Sequence, residues 1–212
     1  MEILFIRHAE SLWNARLTED DLDSDLSEVG KQSSLETARW LKQNFDFNNY
    51  TMLVSPYLRT LRTAQDIANE CNKLPVEVDP FCREHHVGPG GPKEFIDIPI
   101  RIQEFPTFDW SRGFYEFRRK ENTFVFKNRF LEQFIYETQM CINILQDCDE
   151  NFVIVSHAAP IKVMYDIAIG INIDEMIREY SEDYNKMCGQ IKNNSLTLVK
   201  DRKAVWLSKV VH

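Results

Sequence analysis

Arg7-His8 stands directly behind the apolar run Ile3-Leu4-Phe5-Ile6, and Ser156-His157 stands in the same way behind Phe152-Val153-Ile154-Val155. Each run reads as a buried strand that delivers a histidine at its exit. Ser55-Pro56-Tyr57-Leu58-Arg59 follows the short apolar segment Met52-Leu53-Val54, and Arg83-Glu84-His85-His86-Val87-Gly88 lies just past Val76 to Val78. In an open α/β sheet, ligands bind outside the carboxyl ends of the strands, so residues at these exits can converge although far apart in sequence. Converged, they offer the imidazoles of His8 and His157, the guanidiniums of Arg7 and Arg59, and the carboxylate of Glu84.

That set suits a phosphorylated substrate. The rigid fork of arginine matches phosphate oxygens and keeps its charge, so two arginines beside two histidines suggest phosphate rather than a neutral ligand. Histidine can act as a covalent nucleophile, dividing phosphoryl transfer into two easier steps through a phosphohistidine. Glu84 is the best-placed carboxylate to protonate the leaving group. Each residue also has an ordinary reading, a structural histidine at a strand end or an arginine in a surface ion pair; it is their joint placement that favours a site. His85-His86 invites a metal reading, yet adjacent histidines point in different directions and lack an acidic partner at ligand spacing, so no metal is expected. Asp21, Asp23 and Asp25 imitate a calcium loop, but its turn position holds Leu26 and its bidentate position Gln32.

The elements that must position these groups follow from periodicity. Residues 2 to 6 form the first strand, and Ser27 caps a helix with apolar residues at Leu35, Ala38 and Leu41 to Phe45. Met52 to Val54 is a second strand, followed from Pro56 by a helix carrying Leu58, Leu61, Ala64, Ile67 and Ala68. Val76 to Val78 adds a strand, and Phe124 to Leu145 keeps a helical period. Phe152 to Val155 is the fourth strand, Ile161 to Ile169 a helix, and Ser195 to Val199 and Ala204 to Leu207 closing strands. This alternation predicts an α/β fold, a three-layer sandwich with a mostly parallel central sheet flanked by helices, in one domain spanning 1–212. Between about 88 and 121 the pattern breaks into an irregular insertion containing Phe105, Phe108, Trp110, Phe114, Tyr115 and Phe117. It reads either as a lid over the site or as a small subdomain whose aromatics pack on the core. Arg118-Arg119-Lys120 would contact an extended anionic substrate or form a solvated face.

The net charge of -8 argues against a nucleic-acid or membrane-surface binder, which needs a basic face, so an anionic ligand must be held by a local cluster of cations. Five cysteines without CxxC spacing suggest reduced thiols rather than a disulfide framework or thiolate zinc site. Four apolar residues before Arg7 are too few for a signal-peptide core, and no stretch is long enough to span a bilayer; the cytoplasm is the expected compartment.

On these motifs the chain resembles the histidine phosphatase superfamily in its phosphoglycerate-mutase-like branch. Arg7-His8-Ala9-Glu10-Ser11-Leu12-Trp13-Asn14 is similar to the family's Arg-His-Gly-Glu-Ser-x-x-Asn opening, and Asp23 through Gly30 to its Asp-x-x-Leu-Thr-x-x-Gly segment. Ser55-Pro56-x-x-Arg59 with Thr63-Ala64, Glu84 through Gly88, and Ser156-His157-Ala158-Ala159 resemble the remaining signatures, in order. The resemblance implies that His8 is phosphorylated during turnover, that Arg7, Arg59 and His157 surround the phosphoryl group, and that Asn14 adds a hydrogen bond. It implies that Glu84 protonates the leaving oxygen and then takes a proton from the hydrolytic water. The phytase-like branch carries an acidic residue where this chain has Ala158.

Ala9 and Ala158-Ala159 replace glycines; the backbone N–H groups survive, that of Ala158 remaining available to substrate, while the added methyl groups narrow the space beside the phosphate. The mutases carry Gly-Leu-Asn-Lys after the acid-bearing segment and this chain does not. The expected activity is therefore that of a phosphoric monoester hydrolase without cofactor, acting on a small phosphorylated substrate or a phosphoprotein. The alternatives are a phosphomutase and a non-catalytic protein of the same fold that binds a phosphorylated ligand.

Overall fold

The computed structural model describes residues 1–19, 22–85, 95–112, 118–120, 122–127 and 130–211, with backbone alone at 118–120 and 127. In chain order its elements are β1 (Glu2–Arg7), α1 (Glu28–Asn44), β2 (Tyr50–Val54), α2 (Leu58–Glu70), β3 (Val76–Val78), β4 (Phe95–Pro99), β5 (Arg118–Lys120) and β6 (Thr123–Lys127). There follow α3 (Leu131–Gln146), β7 (Asn151–Ser156), α4 (Ala158–Ala168), α5 (Ile173–Glu182), α6 (Tyr184–Cys188), β8 (Ser195–Lys200) and β9 (Lys203–Val210).

The central sheet runs β3-β2-β7-β1-β8-β9. Its first four strands are mutually parallel, whereas β8 is antiparallel to β1 and β9 to β8. Ile3 through Ile6 are fully buried because both faces of β1 are covered, which explains a continuous apolar run instead of an alternating one. Alternate residues serve opposite faces. Leu4, Ile6, Met52, Val54, Val153 and Val155 pack with Ala38 and Leu41 of α1 and Leu61 and Ala64 of α2. Ile3, Phe5, Leu53 and Ile154 pack with Phe134 and Ile142 of α3 and Ile161 and Met164 of α4. Helices on both faces of a mostly parallel sheet are the expected three layers.

Ser27 caps α1 as its residue type predicts, its Oγ accepting the Gly30 N–H at 2.9 Å. α2 begins at Leu58, two residues beyond Pro56, and the Tyr57 side chain does not cap it. Asp23, distant in sequence, accepts the Leu58 N–H at 2.7 Å instead.

The helix expected from Phe124 begins only at Leu131. Phe124 to Phe126 lie in β6, the middle of a three-stranded antiparallel sheet ordered β4-β6-β5. There Ile98 pairs with Phe124 and Ile96 with Phe126, and all four side chains are buried. An apolar run covered on both sides has no period of its own, so the pairing strands decide its conformation. The region expected to be irregular thus carries β4 and β5. Phe105, Phe108 and Trp110 are buried against the first core, so for these three the packing alternative holds. The backbone of Asp109 hydrogen bonds with Val76 and Val78 and flanks β3. Phe114, Tyr115 and Phe117, the acid-bearing segment from His86 to Gly88, and Asp21 lie outside the described residues, as do the side chains of Arg118, Arg119 and Lys120. α5 and α6 were not anticipated from the sequence. All five cysteines are free thiols, and among the described residues no helix is long and apolar enough to cross a membrane.

Candidate active site

Strand register brings the candidate residues together. β1 and β7 align Arg7 with Ser156, and the His8 N–H donates to the Ser156 carbonyl at 3.0 Å, so the two histidines leave adjacent strands side by side. Their ring centroids are 5.2 Å apart at 61°. β2 aligns Val54 with Val155, which delivers Ser55 beside the same exit. Past β3, a short 3-10 turn at Pro80–Cys82 leads to Glu84, and the Ser156 hydroxyl donates to the Cys82 carbonyl at 2.6 Å, tying that segment to β7.

His8 is buried, and its Nδ1 lies 2.7 Å from the Ala9 carbonyl. A carbonyl oxygen only accepts, so Nδ1 carries the proton and Nε2 holds the lone pair. Burial, then the charges of Arg59 and Arg7, hold the imidazole well below its ordinary value of 6.5, outweighing the Ala9 hydrogen bond. These effects favour the neutral imidazole, the form in which a histidine can attack an electrophile. The Asn194 N–H holds its carbonyl at 3.1 Å, and the next peptide N–H, of Ala9, donates to Thr63 Oγ1 at 3.1 Å. Thr63 in turn donates to the Arg59 carbonyl at 2.9 Å, linking the loop that carries His8 to the helix that carries the arginine.

His157 is fully buried at the N-cap of α4. Its Nε2 is 2.8 Å from Ser55 Oγ, and its Nδ1 is 3.6 Å from Glu84 Oε2. Tyr57 packs edge-on at 5.0 Å, which fixes the ring. Glu84 is the most exposed of these groups, with its other oxygen accepting the His85 N–H at 2.9 Å. A carboxylate at the site's edge can meet both a leaving group and water.

Arg7 donates through Nη1 to the Ile191 carbonyl at 2.5 Å, while its buried Nε has no hydrogen-bond partner among the described residues. Burial lowers the Arg7 guanidinium from its ordinary value, an effect opposed by Glu84. Arg59, in the first turn of α2, donates through Nη1 to the Leu22 carbonyl at 2.9 Å and lies 4.8 Å from the Tyr57 ring centroid. The guanidiniums of buried Arg59 and partly buried Arg7, with the N-termini of α2 and α4, concentrate positive potential on a chain that is acidic as a whole. The Ala158 N–H, first of α4, has no partner within its helix and points with the helix dipole.

Asn14 is exposed on the turn after β1. Its Oδ1 accepts from Ser11 and, at 2.8 Å, from Asn193, leaving its amide NH2 as the group that could donate to an anion. His85 stacks on Phe134 at 4.4 Å and 11°, a packing role, and among the described residues no acidic, histidine or cysteine cluster could hold a metal. Four contributors lack a local signal or were read only as motif members. Ser55 holds His157, and Tyr57 packs against both His157 and Arg59. Tyr184 donates to the His85 carbonyl at 3.2 Å, and Cys188 lies within electrostatic reach of Arg7 and Glu84, its thiol pushed up to about 11 chiefly by burial. The last two sit on α6, which the sequence reading did not place.

Solved structures share this architecture. Phosphoserine phosphatase from Entamoeba histolytica, in complex with 3-phosphoglyceric acid, is 21% identical with a TM-score of 0.60, over 98% of this chain and 96% of that one. Ecdysone phosphate phosphatase from Bombix mori, in complex with tungstate, is 15% identical with a TM-score of 0.66, over 97% and 92%. A mycobacterial glucosyl-3-phosphoglycerate phosphatase is 18% identical with a TM-score of 0.59, over 93% and 88%. No curated protein sequence matches the chain. The sequence model of the histidine phosphatase superfamily (branch 1) matches residues 3–188, a span that includes every strand exit described above, and the chain belongs to that superfamily.

Proposed function

We propose that the protein is a phosphatase that hydrolyses a phosphomonoester through a phosphohistidine at His8. The observation that carries this reading is His8, whose Nδ1 is held by the Ala9 carbonyl so that its Nε2 lone pair is free, beside the guanidiniums of buried Arg59 and partly buried Arg7, the latter with a buried Nε–H that has no partner among the described residues. Buried donors are normally satisfied, so an anionic oxygen is the fitting partner for Arg7 Nε.

In the first step His8 Nε2 attacks phosphorus, the ester P–O bond breaks, and Glu84 gives a proton to the leaving oxygen. In the second, water attacks the phosphohistidine, the N–P bond breaks, and Glu84 takes the water's proton, so inorganic phosphate and the starting enzyme result. Arg7, Arg59 and the Ala158 N–H stabilise the transferring group, with Asn14 donating at its edge. His157, braced by Ser55, adds a further donor. The named activities of the structural relatives, on phosphoserine, ecdysone phosphate and glucosyl-3-phosphoglycerate, support small phosphomonoesters as the first substrates to try. Free thiols are consistent with action in the cytoplasm.

The test is phosphate release from a panel of phosphomonoesters in the presence of a chelator. The proposal expects turnover by the wild type and a loss of ~10²–10³ in Arg59→Ala without unfolding. Isomerisation of phosphoglycerate that requires a bisphosphorylated primer would instead make the protein a mutase, and phosphate binding without turnover on any member of the panel would make it a binding protein.

A further inference from the structure

We propose that Asp23 and Arg101 form a positioning pair that holds Arg59 for the phosphoryl group and ties it to the β4–β6 insertion; this rests on the phosphatase reading. The α2 helix that carries Arg59 has no side-chain cap of its own, because Tyr57 occupies that place. Asp23 supplies one from another part of the chain, Oδ1 accepting the N–H of Leu58, the residue just before Arg59, at 2.7 Å. Its other oxygen meets Arg101 Nη2 at 2.7 Å, and both side chains are largely buried, 11% and 14% exposed.

Arg101 comes from the segment immediately after β4 and is braced by Glu104 at 3.5 Å. Glu104 also meets Arg62 of α2 at 3.1 Å, Arg62 reaches Asp25 at 3.6 Å, and the Arg62 guanidinium lies 5.1 Å from the Phe105 ring centroid. Two arginine-carboxylate contacts therefore clamp the insertion to the first turns of α2.

The charges make the pair more than a fastening. Asp23 lies within electrostatic reach of both Arg101 and Arg59, and its burial raises the cost of an uncompensated carboxylate. With Arg101 in place, that carboxylate is neutralised by a residue outside the phosphate site. Without it, Asp23 draws on Arg59, lowering the positive potential available to the phosphoryl group and pulling the guanidinium towards the Leu22–Asp23 side. The insertion thereby sets how much of the Arg59 charge reaches the substrate.

The experiment compares wild type, Arg101→Ala, Arg101→Lys, Asp23→Asn and the Asp23→Asn/Arg101→Ala double variant. It measures the Kd for inorganic phosphate by calorimetry and kcat/KM on the best phosphomonoester, with thermal melts as a check on folding. Arg101→Ala is expected to weaken both by about tenfold and Arg101→Lys to retain most of each. Asp23→Asn keeps an oxygen for the Leu58 N–H but removes the charge, so the double variant should recover to within about threefold of Asp23→Asn alone. A purely structural Arg101 would leave the double variant as impaired as Arg101→Ala. That result, or an Arg101→Ala enzyme within about twofold of wild type in both measurements, overturns the proposal. The Kd series reads the pair without catalysis. A wild type that binds phosphate yet hydrolyses nothing would therefore sink the phosphatase reading while leaving the pair to be judged by binding.

Discussion

Gly30 lies in the first turn of α1, packed on the backbone of Glu10, two residues beyond His8. A Cβ at this position would stand 2.0 Å from the Glu10 carbonyl oxygen and 2.9 Å from its carbon, about 1.4 Å short of the 3.4 Å at which ordinary contact begins. The opposing atoms are backbone, so no side-chain rotation relieves the clash, and α1 must move away from the loop that presents His8. Such a movement breaks the hydrogen bonds from the Ser27 N–H to the Glu10 carbonyl, 2.9 Å, and from the Ser27 hydroxyl to Glu10 Oε1, 2.6 Å. Losing both costs about 2 kcal/mol and overpacking a further 1–3 kcal/mol or so, against about 1 kcal/mol returned by alanine's higher helix propensity. The net destabilisation is about 2–4 kcal/mol, which at this chain length lowers Tm by roughly 5–15 °C. A loop displaced by about an ångström should also cost on the order of 10²-fold in kcat. Calorimetry and steady-state kinetics on Gly30→Ala read both. Gly170→Ala is the control: its φ of +89° strains alanine, but nothing lies within 4 Å, so it should cost about 1 kcal/mol and leave turnover unchanged. A Gly30→Ala protein with wild-type Tm and kcat would refute the reasoning.

Glu84→Gln removes the proposed proton donor, so hydrolysis of alkyl phosphates should fall by ~10²–10⁴ while activated aryl phosphates, whose leaving groups need little protonation, fall less; equal losses in the two series would show that Glu84 acts only structurally. Ser55→Ala frees His157 Nε2 from its 2.8 Å partner, and kcat should drop by about tenfold with little change in Tm, whereas a large fall in Tm at constant kcat would contradict this. The depressed His8 titration also makes a claim about stability. Above 6.5 the ring is neutral folded and unfolded, while below it the unfolded chain takes up a proton that the folded site refuses, so stability falls as the pH drops. Denaturant titrations from pH 7 to pH 5 should show His8→Gln losing less stability than wild type, by up to about 1.4 kcal/mol per pH unit, and parallel curves would deny the shift.

The strand exits were legible because residues 3 to 6, 52 to 54 and 152 to 155 are buried on both faces, and such runs announce themselves. Arg7, His8, Arg59 and His157 follow from those exits, and Glu84 from the segment past β3. The parallel register of β1, β2 and β7 is what sets the two histidines side by side. Less could be read where structure depends on partners. Phe124 to Phe126 form an apolar run that suits a buried helix equally well until β4 and β5 pair with it. Met176 and Tyr180, the buried residues of α5, are one turn apart, so its apolar stripe is short, and the Asn172 cap is its main local signal. Asp23 illustrates the limit more sharply. Its place in a motif was visible, but its contacts to Leu58 and Arg101 bridge 35 and 78 positions of chain that no local pattern connects.

The central claim is that His8, and not His157, carries the phosphoryl group. The most direct test is rapid alkaline quench of enzyme turning over a radiolabelled phosphomonoester. Wild type and Glu84→Gln are predicted to trap protein-bound label that is stable in base and released by acid, and His8→Ala to trap none. Label that persists in His8→Ala, or a wild type that turns over without ever accumulating an acid-labile phosphoenzyme, would contradict the account.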